Sequence, residues 1–178
     1  MEPSVPFEDD ASVFRFLFRL SADARLVPIR QFLRRLVTGL ANHYAAATCS
    51  IYLSSARGLL AKAEPSLDLE DLVEQHQEAI LKLGQRLVER SFQTGELTSA
   101  MDLVDPESDV KPTEDEMLQG WDVFAFPLNT SGGTRAVVVL FLGDTSRSLG
   151  ETDIQALMAL GEVLEVGAEK TLRPAPQQ

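Results

Sequence analysis

Residues 121–143, WDVFAFPLNTSGGTRAVVVLFLG, followed after a short loop by ETDIQALMALGEVLEVGAEKTL at 151–172, decide the fold. Val137, Val138, Val139, Leu140, Phe141 and Leu142 form an unbroken apolar run too short for a long helix, which predicts a central strand buried on both faces. Residues 121–128 predict the strand beside it. The Gly132-Gly133 pair supplies the positive φ angles of the hairpin between the two. The segment 151–172 carries Ile154, Leu157, Met158, Leu164 and Ala168 on one stripe with Leu160 and Val163 beside it, so the strand pair leads into an amphipathic helix. Gly150 takes the cap position before this helix, and Leu149 with Ile154 can staple its start.

Upstream, Pro28 is well placed for a first helical turn, and Ile29, Phe32, Leu33, Leu36, Val37, Leu40 and Tyr44 hold helical spacing for more than four turns. Residues 47–53 alternate, with Cys49, Ile51 and Leu53 on one side, which reads as a strand with one face buried. Arg57-Gly58 turns the chain into a second short strand at 59–64, ended by Pro65. Leu69, Leu72, Val73, His76, Ile80, Leu83 and Leu87 then predict a helix bent near Gly84 and ended by Gly95, before a short strand from Leu97. His76 on that stripe reads as a satisfied packing residue. Residues 101–120 form a loop longer than a compact domain usually carries, rich in acidic side chains. Ahead of everything, Val13, Phe14, Phe16, Leu17, Phe18 and Leu20 place six apolar residues in eight positions, a density that some surface must cover.

Length and charge narrow the function. A chain of 178 residues is one domain of ordinary size with a real core. Three segments are expected: an N-terminal extension over 1–22, a domain over 23–172 and a disordered tail over 173–178. The net charge of −11 repels nucleic acid and anionic lipid, so neither is expected as a partner. Residues 64–122 hold 16 acidic side chains against Lys82, Arg86, Arg90 and Lys111, whereas Arg15, Arg19, Arg25, Arg30, Arg34 and Arg35 make the first helical region basic. One cysteine cannot form an internal disulfide, no signal pattern opens the chain and no apolar run spans a bilayer, so a cytoplasmic protein without membrane insertion is expected.

The order strand, turn, strand, loop, helix around Ala125-Phe126-Pro127-Leu128 resembles the closing half of a GAF domain, the small sensor and dimerisation module of signalling proteins. The stretch from Leu83 to Glu96 looks like that family's helix ending in a Thr-Gly-Glu turn, and Leu149-Gly150-Glu151-Thr152-Asp153-Ile154 stands where the family usually has Phe-Thr-Glu-Glu-Asp. The resemblance spans roughly residues 25–172. It implies an α+β fold: a central antiparallel sheet of about five to six strands, N- and C-terminal helices on one face, and a helix and loop lid on the other. A PAS-like or profilin-like sheet is the alternative architecture. In the family the segment matching 101–120 covers a ligand pocket. Family subtypes that bind cyclic nucleotides, bind bilins or reduce methionine sulfoxide depend on an Asn-Lys, Phe, Asp-Glu series, a pocket cysteine or several cysteines, and this chain has none of these sets.

Catalytic constellations are likewise missing: there is no Gly-x-Ser-x-Gly elbow, no phosphate loop and no His-Glu-x-x-His pair. His43, His76 and Cys49 cannot assemble a tetrahedral metal site from nitrogen and sulfur. A non-enzyme without cofactor or metal is expected. Two functions remain, a regulatory module acting through homodimerisation and contact with a signalling protein, and a small-molecule sensor. The expected interface residues are Phe14, Leu17, Phe18, Phe32, Leu36, Leu157, Leu160 and Leu164, with Gly161 and Gly167 permitting close approach of helices across a four-helix seam. A ligand pocket is expected at Phe124 and Phe126, which point the same way along their strand, with Trp121 at its mouth and Met101 and Asp102 closing it.

Overall fold

The computed structural model describes residues 28–53, 59–65, 67–103, 121–143 and 146–162. The expectations placed on residues 1–27, including Phe14, Leu17 and Phe18, on 104–120 and on Leu164 lie outside the described residues.

Helix α1 (Ile29–Tyr44) forms as its spacing predicts. Pro28 precedes it with no N–H to leave unpaired, and the Pro28 carbonyl accepts the Phe32 N–H at 2.9 Å. Ala45, at φ 49°, closes the helix in the left-handed region, and the Ala46 N–H donates back to the Ala41 carbonyl at 2.8 Å. Phe32, Leu33, Leu36, Val37, Leu40 and Tyr44 are buried, whereas Arg30, Gln31, Arg34, Arg35 and Thr38 are exposed.

The strands β1 (Thr48–Leu53), β2 (Leu59–Lys62), β3 (Thr98–Ser99), β4 (Asp122–Thr130) and β5 (Gly133–Leu142) make one sheet in the order β2-β1-β5-β4-β3. Every pairing is antiparallel. The apolar run at 137–142 takes the centre, between β1 (Cys49 opposite Leu140) and β4 (Phe126 opposite Val138). Alternation then sorts its side chains. Ala136, Val138, Leu140 and Leu142 face α1 and the C-terminal helix α4 (Glu151–Met158), while Val137, Val139 and Phe141 face the other layer. That second layer holds α2 (Leu67–Gln75), α3 (Gln77–Thr94) and a 3-10 turn (Ala100–Leu103). Because helices cover both faces, β1 is buried on both, not on one as its alternation predicts.

Two local expectations change. The acidic helix breaks at His76, between α2 and α3, and runs unbroken through Gly84. Gly84 instead faces the sheet, where an added Cβ would lie 3.5 Å from Tyr52 Oη and 3.7 Å from Phe141 Cζ. Those are ordinary contacts, so Gly84→Ala should raise stability by about 0.5–1 kcal/mol through backbone entropy, as measured by urea denaturation. In the hairpin, of the two glycines only Gly133 has a positive φ, 98°. Ser131 and Gly132 make the turn between the paired Thr130 and Gly133, and the register shifts at Leu128/Asn129.

The Thr-Gly-Glu turn forms as read. Gly95, at φ 67°, ends α3 with its N–H on the Ser91 carbonyl at 2.8 Å. Gly150 caps α4, and the Asp153 carboxylate accepts the Gly150 N–H at 2.9 Å. The same carboxylate accepts the Tyr44 hydroxyl at 2.8 Å, tying the end of α1 to the start of α4. Burial first, then the hydrogen bond to Asp153 and its negative charge, push the Tyr44 hydroxyl well above the usual tyrosine range, against a smaller opposing pull from Arg147. A raised folded-state pKa contributes stability in full below the unfolded value of about 10 and loses it as pH rises beyond that. Stability should therefore fall progressively above pH of about 10, and Tyr44→Phe should remove part of that slope in denaturant titrations at increasing pH.

Candidate functional site

The sheet face beneath α2 and α3 carries the polar atoms that the fold leaves without partners. Thr48 is fully buried on that face of β1, opposite Phe141, and its Oγ1 has no hydrogen-bond partner. His76, at the break between α2 and α3, buries an Nδ1 that is also unpartnered. A buried polar atom without a partner costs about 1–3 kcal/mol, which makes both atoms candidate contacts for something that binds. The His76 ring stands edge-on to Trp121, with centroids 6.4 Å apart. Trp121 is half-buried just before β4, and an added Cβ on Gly143 would lie 3.7 Å from its indole. Further along β1, burial raises the Tyr52 hydroxyl above its ordinary range, so it is neutral. The one contact among these groups is that of the His76 ring with Trp121, which sets a hydrogen-bonding nitrogen near an aromatic side chain.

The five expected ligand residues do not share this site. Trp121, Met101 and Asp102 belong to the α3 side, where the 3-10 turn packs by Ala100 and Leu103. Phe124 and Phe126 do point the same way, with centroids 6.1 Å apart, but on the α1 side. Odd and even positions of a strand face opposite ways, so Trp121 and Phe124 cannot line one pocket. Phe126 is 1% exposed and fills the core, and Phe124 packs against the same core from a half-buried position. Met101 is 76% exposed. Asp102 accepts the Ser99 N–H at 2.8 Å and the Ser99 hydroxyl at 3.3 Å, which holds the 3-10 turn. His76, read as a satisfied packing residue, has an unsatisfied nitrogen, and no sequence signal marks it, since the helix break at which it lies appears only in the fold.

Four of the expected interface residues lie among the described residues, and the chain's own sheet covers them. Phe32, Leu36, Leu157 and Leu160 are each 1% exposed or less within the single chain, since α1 and the C-terminal helical segment both bury their stripes against the sheet. Gly161 is likewise used inside the chain, packed on the Asn129 backbone.

Cys49 lies on the α1 side, fully buried, and burial pushes its thiol far above the ordinary range. It is a small core residue. Reaction with a thiol-specific disulfide reagent at pH 8 should be slower by at least about 100-fold in the native protein than in 8 M urea, measured by absorbance. Among the described residues no cluster of three His, Cys, Asp or Glu could hold a metal ion, and no helix is long and apolar enough to cross a membrane.

No protein-family model matches the sequence, and no curated protein matches it. Solved structures do. The GAF domain of A. aeolicus nlh2, in an inactive state, is 12% identical with a TM-score of 0.58, over 90% of this chain and 96% of that one. The GAF domain of a sensor histidine kinase from Pseudomonas syringae pv. tomato is 12% identical with a TM-score of 0.59, over 92% and 89%. The GAF domain of an Acinetobacter phosphoenolpyruvate-protein phosphotransferase is 16% identical with a TM-score of 0.58, over 92% and 97%. At such identities the likeness establishes the fold.

Proposed function

We propose that this chain, which has the fold of a GAF domain, is a non-catalytic regulatory module that acts through protein contact. GAF domains are regulatory or sensory modules of signalling proteins, as the neighbours above illustrate. The observation that carries the protein-contact reading is the filling of the sheet by the chain's own side chains. Leu83, Leu87 and Phe141 occupy one face, and Phe32, Leu36, Phe126 and Leu157 the other. Recognition then falls to the outer surface. Homodimerisation, the other part of this reading, falls to Phe14, Leu17, Phe18 and Leu164, the expected interface residues that the described core does not take. Light scattering at micromolar concentration tests it: a mass near twice 19.5 kDa is expected, and a strictly monomeric mass removes it. Mass spectrometry of what co-purifies with the full chain tests the wider reading, a stoichiometric protein being the expected result and a bound metabolite the contrary one.

The unpartnered Thr48 Oγ1 and His76 Nδ1 favour a second reading, a sensor for a small polar ligand on the α3 side of the sheet. Trp121, beside His76, reports on that site: its emission shifts on ligand binding under the sensor reading and stays unchanged under the first.

A further inference from the structure

Among the described residues, one edge of the sheet, at β2, meets no further strand. Among the described residues β2 pairs only with β1, so the far side of its backbone faces no strand. The Ala63 N–H donates to the Cys49 carbonyl at 2.9 Å, and alternation along an antiparallel strand therefore turns the N–H and C=O of Lys62 away from β1. On the same strand Leu59 and Leu60 are 43% and 37% exposed. Leu60 is the extra residue of a bulge, since Ala61 lies opposite Ile51 and Leu59 opposite Tyr52.

Beside this edge lies an open groove of about 630 Å³ between β2 and α1, lined by Arg34, Thr38, Leu59, Leu60, Lys62 and Glu64 among others. Its charge is opposite in sign to the molecule's. Arg34 and Lys62, with Arg30 one turn earlier on the exposed side of α1, outnumber the single carboxylate of Glu64 in a chain of net charge −11. Neither Arg34 nor Lys62 has an ion-pair partner among the described residues. Outward backbone groups, exposed leucines and unpaired cations thus converge on one strip.

We infer that the β2 edge and its groove dock an extended acidic segment of a partner protein, one that carries carboxylates on both faces among apolar side chains and adds a strand beside β2. The inference rests on the protein-contact reading above. Backbone hydrogen bonds to the Lys62 edge hold the segment in register, its apolar side chains cover Leu59 and Leu60, and its carboxylates meet Arg34 on the α1 face of the sheet and Lys62 on the other. A second copy of this chain fits less well: antiparallel pairing of β2 with itself gathers two sets of these cations at one seam, and lysine on an edge strand opposes such self-pairing.

The test is panning of the full chain against displayed random 12-residue peptides, followed by affinities of the enriched peptides by fluorescence anisotropy. Enrichment of peptides that combine Asp or Glu with Val, Ile or Leu is expected, with binding that weakens as salt rises. Arg34→Glu should weaken it at least tenfold. Lys62→Pro removes an outward N–H that makes no bond to β1 and is tolerated at a sheet edge, so it should also weaken binding at least tenfold while the circular dichroism and Tm stay unchanged. If Lys62→Pro fails to fold, Lys62→Glu takes its place with the same expectation. Binding unaffected by both substitutions overturns the docking site and leaves the protein-contact reading standing. A chain that enriches no peptide, stays monomeric and brings down no protein overturns both. A tenfold gain in peptide binding on deleting residues 1–22 assigns the groove to this chain's own N-terminal segment, and dimers lost in Lys62→Pro assign it to a second copy; either result overturns the proposal.

Discussion

Phe126→Ala should lower the unfolding free energy by about 3–5 kcal/mol, among the largest losses expected from truncating a described side chain. Phe126 sits near the middle of β4, opposite Val138 of the central strand, and is 1% exposed. Its core neighbours, among them Leu36, Leu128 and Leu140, are themselves buried at 1% exposure or less, so they cannot collapse far into the vacated space. Phe124, two residues earlier on the same side but half-buried, should lose clearly less on the same substitution. Urea denaturation of the two variants checks the ranking. Equal losses would mean that the two rings are equally enclosed and that the α1 side of the sheet extends further than described.

Gly161→Ala should cost about 3 kcal/mol, a large effect for one methyl group. A Cβ there would overlap the Asn129 carbonyl oxygen and fall 2.7 Å from the Asn129 nitrogen, and both obstacles are backbone. Overpacking of this kind costs about 1–3 kcal/mol when side chains can shift, and a strand shifts less readily than a side chain. Asn129 is itself fixed, its Nδ2 donating to the Gly95 carbonyl at 2.9 Å and its Oδ1 accepting from Thr134 Oγ1 at 2.6 Å. Relief must come from displacement of the helical turn at 160–162. Thermal denaturation measures the loss, and a variant as stable as the parent would show that this turn moves freely.

Particular residues show what could be read without coordinates. The run at 137–142 disclosed a strand buried on both faces because no polar side chain interrupts it. The α1 stripe was equally plain, but a stripe states only that one side is covered. It does not state by what, and the chain's own sheet takes Phe32 and Leu36. Parity separates the ligand residues: Trp121 and Phe124 are three apart on an extended segment and so face opposite ways, which the numbering alone shows. Gly84 drew attention as a weak helix residue, yet packing on Tyr52 and Phe141 outweighs roughly 1 kcal/mol of intrinsic propensity, and the break falls at His76 instead. The unpartnered Thr48 Oγ1 was out of reach, because whether a strand hydroxyl finds a partner depends on which helix lies above it.

The position of β5 at the centre of the sheet also orders events in time. β1 ends at Leu53, and its inner neighbour begins at Gly133, so the pair Thr48 and Phe141 closes a loop of roughly 90 residues. Until that loop closes, the hairpin of β1 and β2 has no neighbour on its inner side, and isolated two-stranded ribbons are marginal in water. During synthesis at about 5–20 residues per second, several seconds separate the appearance of β1 from that of its partner. The nascent chain must keep Cys49, Ile51 and Leu53 from other strands throughout that interval, and the sheet assembles late, outward from its middle, with β5 as the last and indispensable piece.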